Sequence, residues 1–177
     1  MPSTCRSPLA ATTGGITWLL TTILLLAATS TPAQQFSLQT TTDTLSYLIL
    51  SEKGRPVDRW KLQFPVYQLQ VGDIDGDGKP EALVGVVKTT RYDPVEAKRL
   101  FIFKCHHGRI RALWMGSRLG GRLIDFRLKE GKVLTLQAAD NGRHAVVEHH
   151  LRDFGLGFTR FIVANVTREE ALAAFNK

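Results

Sequence analysis

Short apolar runs separated by glycine turns dominate the chain from residue 45 onward. Four of these turns share the form x-x-Gly-[Arg/Lys], and runs rich in Val, Ile, Leu or Phe flank each of them. The four turns are residues 52–55, 106–109, 129–132 and 140–143. A tight hairpin needs a residue at positive φ, which glycine adopts without steric cost. The pattern therefore predicts an antiparallel, all-β chain with short strands.

The predicted strands group into one hairpin and two longer units. The hairpin covers residues 45–62, the first unit has strands at 66–73, 81–90, 99–106 and 109–115, and the second has strands at 121–129, 132–139, 144–152 and 157–164. Residues 167–170 form a Thr-x-x-Glu capping box, which predicts a short terminal helix at 168–175. We expect a single β-repeat domain over residues 45–177, preceded by a flexible lead-in at 34–44.

Two segments of the chain match each other without gaps. The segment YLILSEKGRPVDRW (47–60) aligns with FIFKCHHGRIRALW (101–114), so that the turn glycine, the following arginine and the closing Trp60 and Trp114 coincide. A repeat at about this period is typical of propeller blades. We therefore predict about two to two and a half blade-like β-meanders. Closed propellers typically have about four to eight blades. We therefore expect either a compact sandwich or curved sheet, or sheet edges that the terminal helix, a second copy or a partner covers.

The first 33 residues have the pattern of a secretory signal peptide. Arg6 is their only charged residue, residues 16–28 form an apolar run, and Thr31 and Ala33 occupy the small positions before the predicted cut. A membrane anchor needs ~20 apolar residues, which favours a cleaved signal. We expect a secreted or periplasmic protein with no membrane span after cleavage.

Cysteine content and net charge bear on the source of rigidity and on the binding partners. Cleavage would remove Cys5 and leave Cys105 alone, so the rigidity of an exported chain must come from its core or from a bound metal. The formal net charge is +7. It either serves solubility or attracts an anionic partner, such as an acidic glycan, a protein or a membrane surface. We expect no nucleic-acid partner.

The stretch VGDIDGDGKPEALVGVV (71–87) has the spacing of a cation-binding loop. With Asp73 as position 1, carboxylates follow at position 3 (Asp75), position 5 (Asp77) and position 9 (Glu81), and Lys79 at position 7 offers its backbone carbonyl. Ca²⁺ takes about six to eight oxygen ligands, whereas Mg²⁺ demands a stricter octahedron and keeps more of its waters. The loop therefore predicts a structural Ca²⁺. The alternative is a solvated acidic turn without a metal.

An EF-hand begins in the same way, but two features exclude it. Position 12 is Val84 instead of the bidentate glutamate that an EF-hand requires. The residues on both sides of the loop follow strand patterns, and Pro80 disfavours an incoming helix.

The pattern strand–Asp-x-Asp-x-Asp-Gly-x-x-[Asp/Glu]–strand at residues 73–81 resembles the calcium-binding FG-GAP and VCBS repeats. Those repeats build β-propellers such as the head of integrin α subunits. The resemblance implies Ca²⁺ held by Asp73, Asp75, Asp77, the Lys79 carbonyl and Glu81, inside a hairpin of one blade. The chain departs from the family at Glu81, where Asp is usual, and in lacking a Phe-Gly followed by Gly-Ala-Pro. The resemblance therefore predicts the metal and not the binding partner.

Ligand contacts are expected in the longest polar loop, residues 89–98, and on a binding face that Arg118 and Arg122 could line with Arg109 and Arg127. The candidates are Arg91, Tyr92, Arg109, Arg118, Arg122 and Arg127. The glycine-rich segment 116–123 lacks the Gly-Lys-[Ser/Thr] ending of a P-loop, so we interpret it as a connection between units.

Histidines and tryptophans complete the candidate residues. Residues 106–107 and 149–150 are histidine pairs, and we expect them at turn and surface positions because neighbours on a strand point to opposite faces. Trp60 and Trp114 are expected to be core residues.

We predict an exported, calcium-stabilised module for binding or interaction, without catalytic activity, whose partner is a glycan, a protein or an envelope component. No nucleophile, base and orienting residue form a recognisable set in the sequence. One alternative is a hydrolase or lyase acting on polysaccharide or phosphoester substrates. Another is a structural subunit that completes a partner's propeller or pairs with a second copy.

Overall fold

A computed structural model describes residues 34–91, 93–116, 119–152 and 155–177. The predicted signal peptide, residues 1–33, lies outside them. The strands are β1 (Gln34–Thr42), β2 (Leu45–Glu52), β3 (Arg55–Leu62), β4 (Val66–Gly72), β5 (Glu81–Thr90), β6 (Asp93–His106), β7 (Arg109–Met115), β8 (Arg122–Lys129), β9 (Lys132–Ala138), β10 (His144–Leu151) and β11 (Leu156–Val166), followed by the helix α1 (Arg168–Phe175). Within the described residues, the structure contains no helix both long and apolar enough to span a membrane.

The strands form three antiparallel meander sheets, in which consecutive strands are neighbours. Sheet A has the order β1-β2-β3, sheet B the order β4-β5-β6-β7 and sheet C the order β8-β9-β10-β11. This arrangement confirms the predicted all-β fold of blade-like meanders with a short C-terminal helix. The predicted hairpin at 45–62 is two strands of sheet A, and the two longer units are sheets B and C.

Strand β1 lies where the sequence predicted a flexible lead-in. It pairs with β2 from Gln34 opposite Glu52 to Thr42 opposite Leu45. Phe36 is buried in the core, and Leu38 packs against it. These two residues are the only alternating apolar positions in a strand of glutamines and threonines, which is too short a pattern to predict a strand. The half blade predicted as a hairpin at 45–62 is therefore part of a three-stranded sheet.

Three of the four predicted glycine turns are two-residue hairpins. Positive φ angles occur at Lys53 and Gly54 (50° and 77°), at His107 and Gly108 (52° and 71°), and at Glu130 and Gly131 (51° and 71°). Two successive residues at positive φ define the type I′ turn, whose twist matches that of antiparallel strands. The fourth turn is longer and has only Gly142 at positive φ.

Hydrophobic layers lie between sheets A and B, between sheets B and C, and between sheet C and α1. The first contains Phe36, Leu48, Leu50 and Leu62 against Val84, Phe101 and Phe103. The second contains Leu83, Leu100 and Ile102 against Leu123, Phe126 and Val133. The third contains Leu134, Leu136 and Val146 against Ala171 and Phe175. Sheet B is covered on both faces, which explains why β5 is a continuous apolar run and not an alternating one.

Of the two repeat-matched tryptophans, Trp114 is a core residue, as predicted, and Trp60 is half-buried against the core. Each lies in the last strand of its sheet, Trp60 in β3 and Trp114 in β7. Trp114 is buried, and the Trp60 ring is 5.4 Å from the ring of Phe103. The sequence repeat therefore reflects the equivalence of sheets A and B.

The predicted helix and its capping box are both present. The Glu170 amide donates to Thr167 Oγ1 at 3.3 Å, and the Thr167 amide donates to Glu170 Oε2 at 2.8 Å. Ala171 and Phe175 are the buried residues of the helix. The helix thereby covers the face of sheet C that points away from sheet B.

The predicted polar loop at 89–98 is mostly strand. β5 continues to Thr90 and β6 begins at Asp93, and these two residues pair with each other. Arg99, at the base of this extension, binds the Asp93 carboxylate at 2.7 Å. This end of the hairpin extends into solvent, so its residues are polar and show no apolar strand pattern in the sequence.

Candidate metal centre and binding cavity

The aspartate loop joins β4 to β5, and its carboxylates accept hydrogen bonds from the loop's own backbone. Asp73 accepts from the amides of Gly76 at 2.7 Å and Gly78 at 2.9 Å. Both glycines have positive φ, near 80°, a conformation that favours glycine. Gly72 and Glu81 pair where the strands enter and leave the loop. The flanking strands confirm that the loop is not an EF-hand.

A hydrogen bond from the Lys79 backbone to the Asp77 side chain links these two residues. The Lys79 amide donates to Asp77 Oδ1 at 2.8 Å, and the Asp77 amide donates to Asp75 Oδ1 at 3.0 Å. These bonds hold the loop in a tight turn.

The carboxylates of Asp73, Asp75 and Glu81 form a cluster that could hold a metal ion. One oxygen of each residue lies within 4.8 Å of the others. Two oxygens that bind the same Ca²⁺ at about 2.3–2.6 Å are at most about 5 Å apart, so the spacing fits a shared cation. Three of the five predicted ligands are therefore brought together in this cluster.

Glu81 is the buried member of this cluster. Its side chain is 1 % exposed, and its Oε2 accepts a hydrogen bond from the Ile74 amide at 3.0 Å. Burial raises the pKa of Glu81 from 4.5 to about 7, and the neighbouring charges of Asp75 and Asp77 add to the effect, although the Ile74 amide and Lys104 oppose it. A cation at the cluster would favour the ionised carboxylate.

Lys104, which sequence reasoning missed, contacts the cluster from β6. Its Nζ lies 3.1 Å from Asp75 Oδ2. Burial acts to raise the pKa of Asp75, but hydrogen bonds from Asp77 and Lys104 outweigh it and the pKa is lowered. The only sequence signal was a lysine inside the apolar run FIFKC, 29 residues from its partner.

Two of the arginines predicted to contact a ligand, Arg91 and Arg109, lie at opposite ends of one strand. Arg91 lies in the turn before β6, and Arg109 begins β7 after it. The 14 residues of β6 separate the two by about 45 Å, at about 3.3 Å per residue. Arg127 donates to the Phe175 carbonyl and its guanidinium lies over the Phe175 ring, so it fastens α1 to sheet C. Tyr92 and Arg118 are outside the described residues.

Arg122, the remaining arginine candidate, is exposed and lines a small cavity. Trp114 and Arg99 share this cavity of about 250 Å³ with it. Its place beside the connection from sheet B to sheet C is compatible with contact to a ligand.

A larger cavity, of about 740 Å³, lies on sheet C. Sheet B contacts sheet C mainly through β8, which leaves the same face of β10 and β11 open. Residues that line the cavity include Gln137, Arg143, Val147, His149, Phe158 and Phe161. Sequence reasoning missed this site because its residues come from four separate segments.

His149 is not at the surface, contrary to the sequence prediction for the histidine pairs. It is 5 % exposed, and its Nε2 lies 2.9 Å from Thr135 Oγ1. Burial lowers the pKa of His149, against the opposing effect of the Gly157 backbone. His106 and His107 lie at the β6–β7 turn as predicted, with their rings 4.2 Å apart.

The fold and site define an all-β protein of stacked meander sheets with an acidic cluster in one hairpin loop. No protein-family model matches the chain, and no curated protein matches it. The resemblance to FG-GAP and VCBS repeats stays a prediction that rests on residues 73–81.

Proposed function

We propose that the protein is an exported binding module, stabilised by one structural Ca²⁺ and without catalytic activity. The observation that carries this proposal is Glu81, a carboxylate buried beside Asp73 and Asp75. Burying an ionised carboxylate is unfavourable unless a positive charge compensates it.

Calcium fits the cluster better than other cations. The side-chain ligands in the cluster are all carboxylate oxygens, the ligand type that Ca²⁺ accepts at varied coordination numbers. Zinc, copper and nickel are better suited by nitrogen or sulfur ligands, and the cluster contains neither. Asp77 and the Lys79 carbonyl are the further ligands that the loop pattern supplies.

The location of the loop supports a structural role. Ile74, between two clustered aspartates, is buried in the hydrophobic layer between sheets B and C. The Asp73 carbonyl packs against the β8–β9 turn, where a Cβ on Gly131 would lie 3.2 Å from it. An ion that orders the loop would therefore stabilise the packing of sheet B on sheet C.

The binding role rests on the separate cavity of sheet C. That cavity is lined by Asn141 in the β9–β10 turn, whereas the aspartate loop lies beside the β8–β9 turn at the opposite end of β9. A metal remote from the cavity is not placed to act on a molecule bound there, which favours binding over calcium-assisted catalysis.

Thermal unfolding of the chain from residue 34 onward, with calcium or with a chelator, tests the proposal. A cation at a hundred times its dissociation constant adds about 2.7 kcal/mol of stability, which corresponds to a rise in Tm of roughly 8 °C for a domain of this size. Asp75→Ala should abolish the rise, and Asp43→Ala, in the exposed β1–β2 turn, should retain it. Equal melting temperatures with calcium and with chelator would contradict the proposal.

A further inference from the structure

We propose that the open cavity of sheet C binds a small aromatic carboxylate. This inference deepens the proposed binding function by naming the class of ligand, and it rests on that function. It comes from the geometry of one buried histidine, two exposed phenylalanines and the charge around them.

The cavity has a polar floor and an apolar rim. Gln137 and His149 lie on the floor, in β9 and β10, and Phe158 and Phe161 lie on the edge strand β11. Its volume of about 740 Å³ is within the range of small-molecule sites, roughly 300–1,000 Å³.

Hydrogen bonds on the floor fix which nitrogen of His149 carries the proton. The Gly121 amide donates to Gln137 Oε1 at 2.7 Å, which orients the Gln137 amide group. Gln137 Nε2 therefore donates to Thr135 Oγ1 at 2.7 Å. His149 Nε2 lies 2.9 Å from Thr135 Oγ1 and 3.4 Å from Gln137 Nε2. Because an amide nitrogen only donates, Nε2 is the accepting nitrogen and the neutral ring carries its proton on Nδ1.

This Nδ1–H is a buried donor that needs an acceptor. Among the described residues it has no hydrogen-bond partner of normal geometry, although the Gly157 backbone is close to it. His144 also lines the cavity, and its buried Nδ1 likewise has no hydrogen-bond partner within the described chain. Buried polar groups of folded proteins are nearly always hydrogen-bonded, so a ligand oxygen is the missing partner.

The rim presents two aromatic rings to solvent. Phe158 and Phe161 are 55 % and 56 % exposed, and their ring centroids are 5.0 Å apart at an angle of 60°. Aromatic rings at such distances pack favourably with a further ring. Leu156 and Val147 extend this apolar wall inward.

The charge around the cavity favours an anion. Arg143 lines it and donates through Nε and Nη2 to the Asn165 carbonyl, which fixes its guanidinium at the edge. None of the described lining residues is acidic. An aromatic ring for the phenylalanines and a carboxylate for the His149 Nδ1–H together satisfy the site. Arg143 lies about 20 Å from His149 along the strand, at about 3.3 Å per residue, and adds positive charge at the far end of the cavity.

The test is a titration of 2-naphthoate into the calcium-loaded chain from residue 34 onward, followed by NMR. We expect saturable binding of one molecule per chain and a change in the His149 Nδ1 resonance. The double variant Phe158→Ala/Phe161→Ala should weaken binding at least tenfold with an unchanged Tm, since both side chains are exposed. Val95→Ala, at a more exposed apolar position on β6, is the control and should bind as the parent does.

Three results would overturn the inference. They are the absence of saturable binding, equal binding by the double variant, and a self-association that the double variant abolishes and that excludes naphthoate. The last would assign the cavity to a second copy of the chain. Naphthoate binding together with a melting temperature that chelator does not change would refute the calcium role alone. A melting temperature that chelator lowers, without naphthoate binding, would refute the cavity assignment alone.

Discussion

The Lys104 ammonium lies 3.1 Å from the Asp75 carboxylate, in a contact between β6 and the loop that joins β4 to β5. The same carboxylate belongs to the cluster with Asp73 and Glu81. Lys104 therefore places a positive charge beside a carboxylate that a cation would bind. The contact raises the pKa of Lys104, chiefly through its hydrogen bond to Asp75. Metal and lysine are expected to compete for one carboxylate.

Replacing Lys104 by methionine should raise calcium affinity about fivefold. Removing the competing charge is worth about 1 kcal/mol for a partly exposed ion pair. Calorimetric titration of Lys104→Met and the parent chain measures the difference. Lys61→Met, on the exposed side of β3, is the matched control and should leave affinity unchanged. Equal or weaker calcium binding by Lys104→Met would show that the lysine does not compete.

The pH dependence of the metal-free protein should reveal Glu81. Its pKa is raised by burial from 4.5 to about 7, so between these values the folded state binds more protons than the unfolded state. The contribution of Glu81 to the free energy of unfolding is then fully present below pH 4.5 and is lost as the pH rises through about 7. Urea unfolding in chelator across this interval should show the decline.

Glu81→Gln supplies the control for that experiment, because the amide does not titrate. Its unfolding free energy should lack this decline between pH 4.5 and 7, and its calcium affinity should fall. The same decline in parent and variant would assign the pH dependence to another group.

His149 should produce the opposite pH dependence. Its pKa is lowered by burial, so the folded state favours the neutral ring. Its contribution to stability is present above the ordinary pKa of 6.5 and is lost as the pH falls through the lower value of the folded state. In a Glu81→Gln background, His149→Asn should reduce acid destabilisation, and His150→Asn should not. Identical acid profiles for the two histidine variants would contradict the burial effect.

Arg127 should stabilise the fold instead of binding a ligand. Arg127→Ala removes its hydrogen bond to the Phe175 carbonyl and its contact with the Phe175 ring, which should cost about 1–2 kcal/mol. Chemical unfolding measures the loss, and naphthoate affinity should not change. Arg122→Ala, at an exposed position of the same strand, should cost less than about 0.5 kcal/mol. A stable Arg127→Ala variant would restore Arg127 as a ligand candidate.

The strands were predictable wherever a glycine turn separated apolar runs. Turn conformation and strand periodicity are local properties, so β2 to β5 and β7 to β11 were found close to their actual bounds. β1 was missed because sheet A buries its two apolar side chains, and this packing comes from distant residues. The N-terminal part of β6 was missed because its polar residues extend the hairpin into solvent.

The acidic cluster was predictable because its ligands lie within nine residues of one another. Lys104, His149 and the phenylalanine pair were not, because strand pairing and sheet stacking bring them to their sites from distant parts of the chain. The separation of Arg91 from Arg109 was not predictable for the same reason, since the sequence gave no sign that the length of β6 lies between them.

A crystal structure of the chain from residue 34 onward, grown with calcium, tests the central claim most directly. We predict one ion in the loop between β4 and β5, at about 2.3–2.6 Å from oxygens of Asp73, Asp75 and Glu81. Lys104 Nζ should then be displaced from its 3.1 Å contact with Asp75. A loop without an ion at saturating calcium, with the Lys104–Asp75 contact retained, would contradict the account.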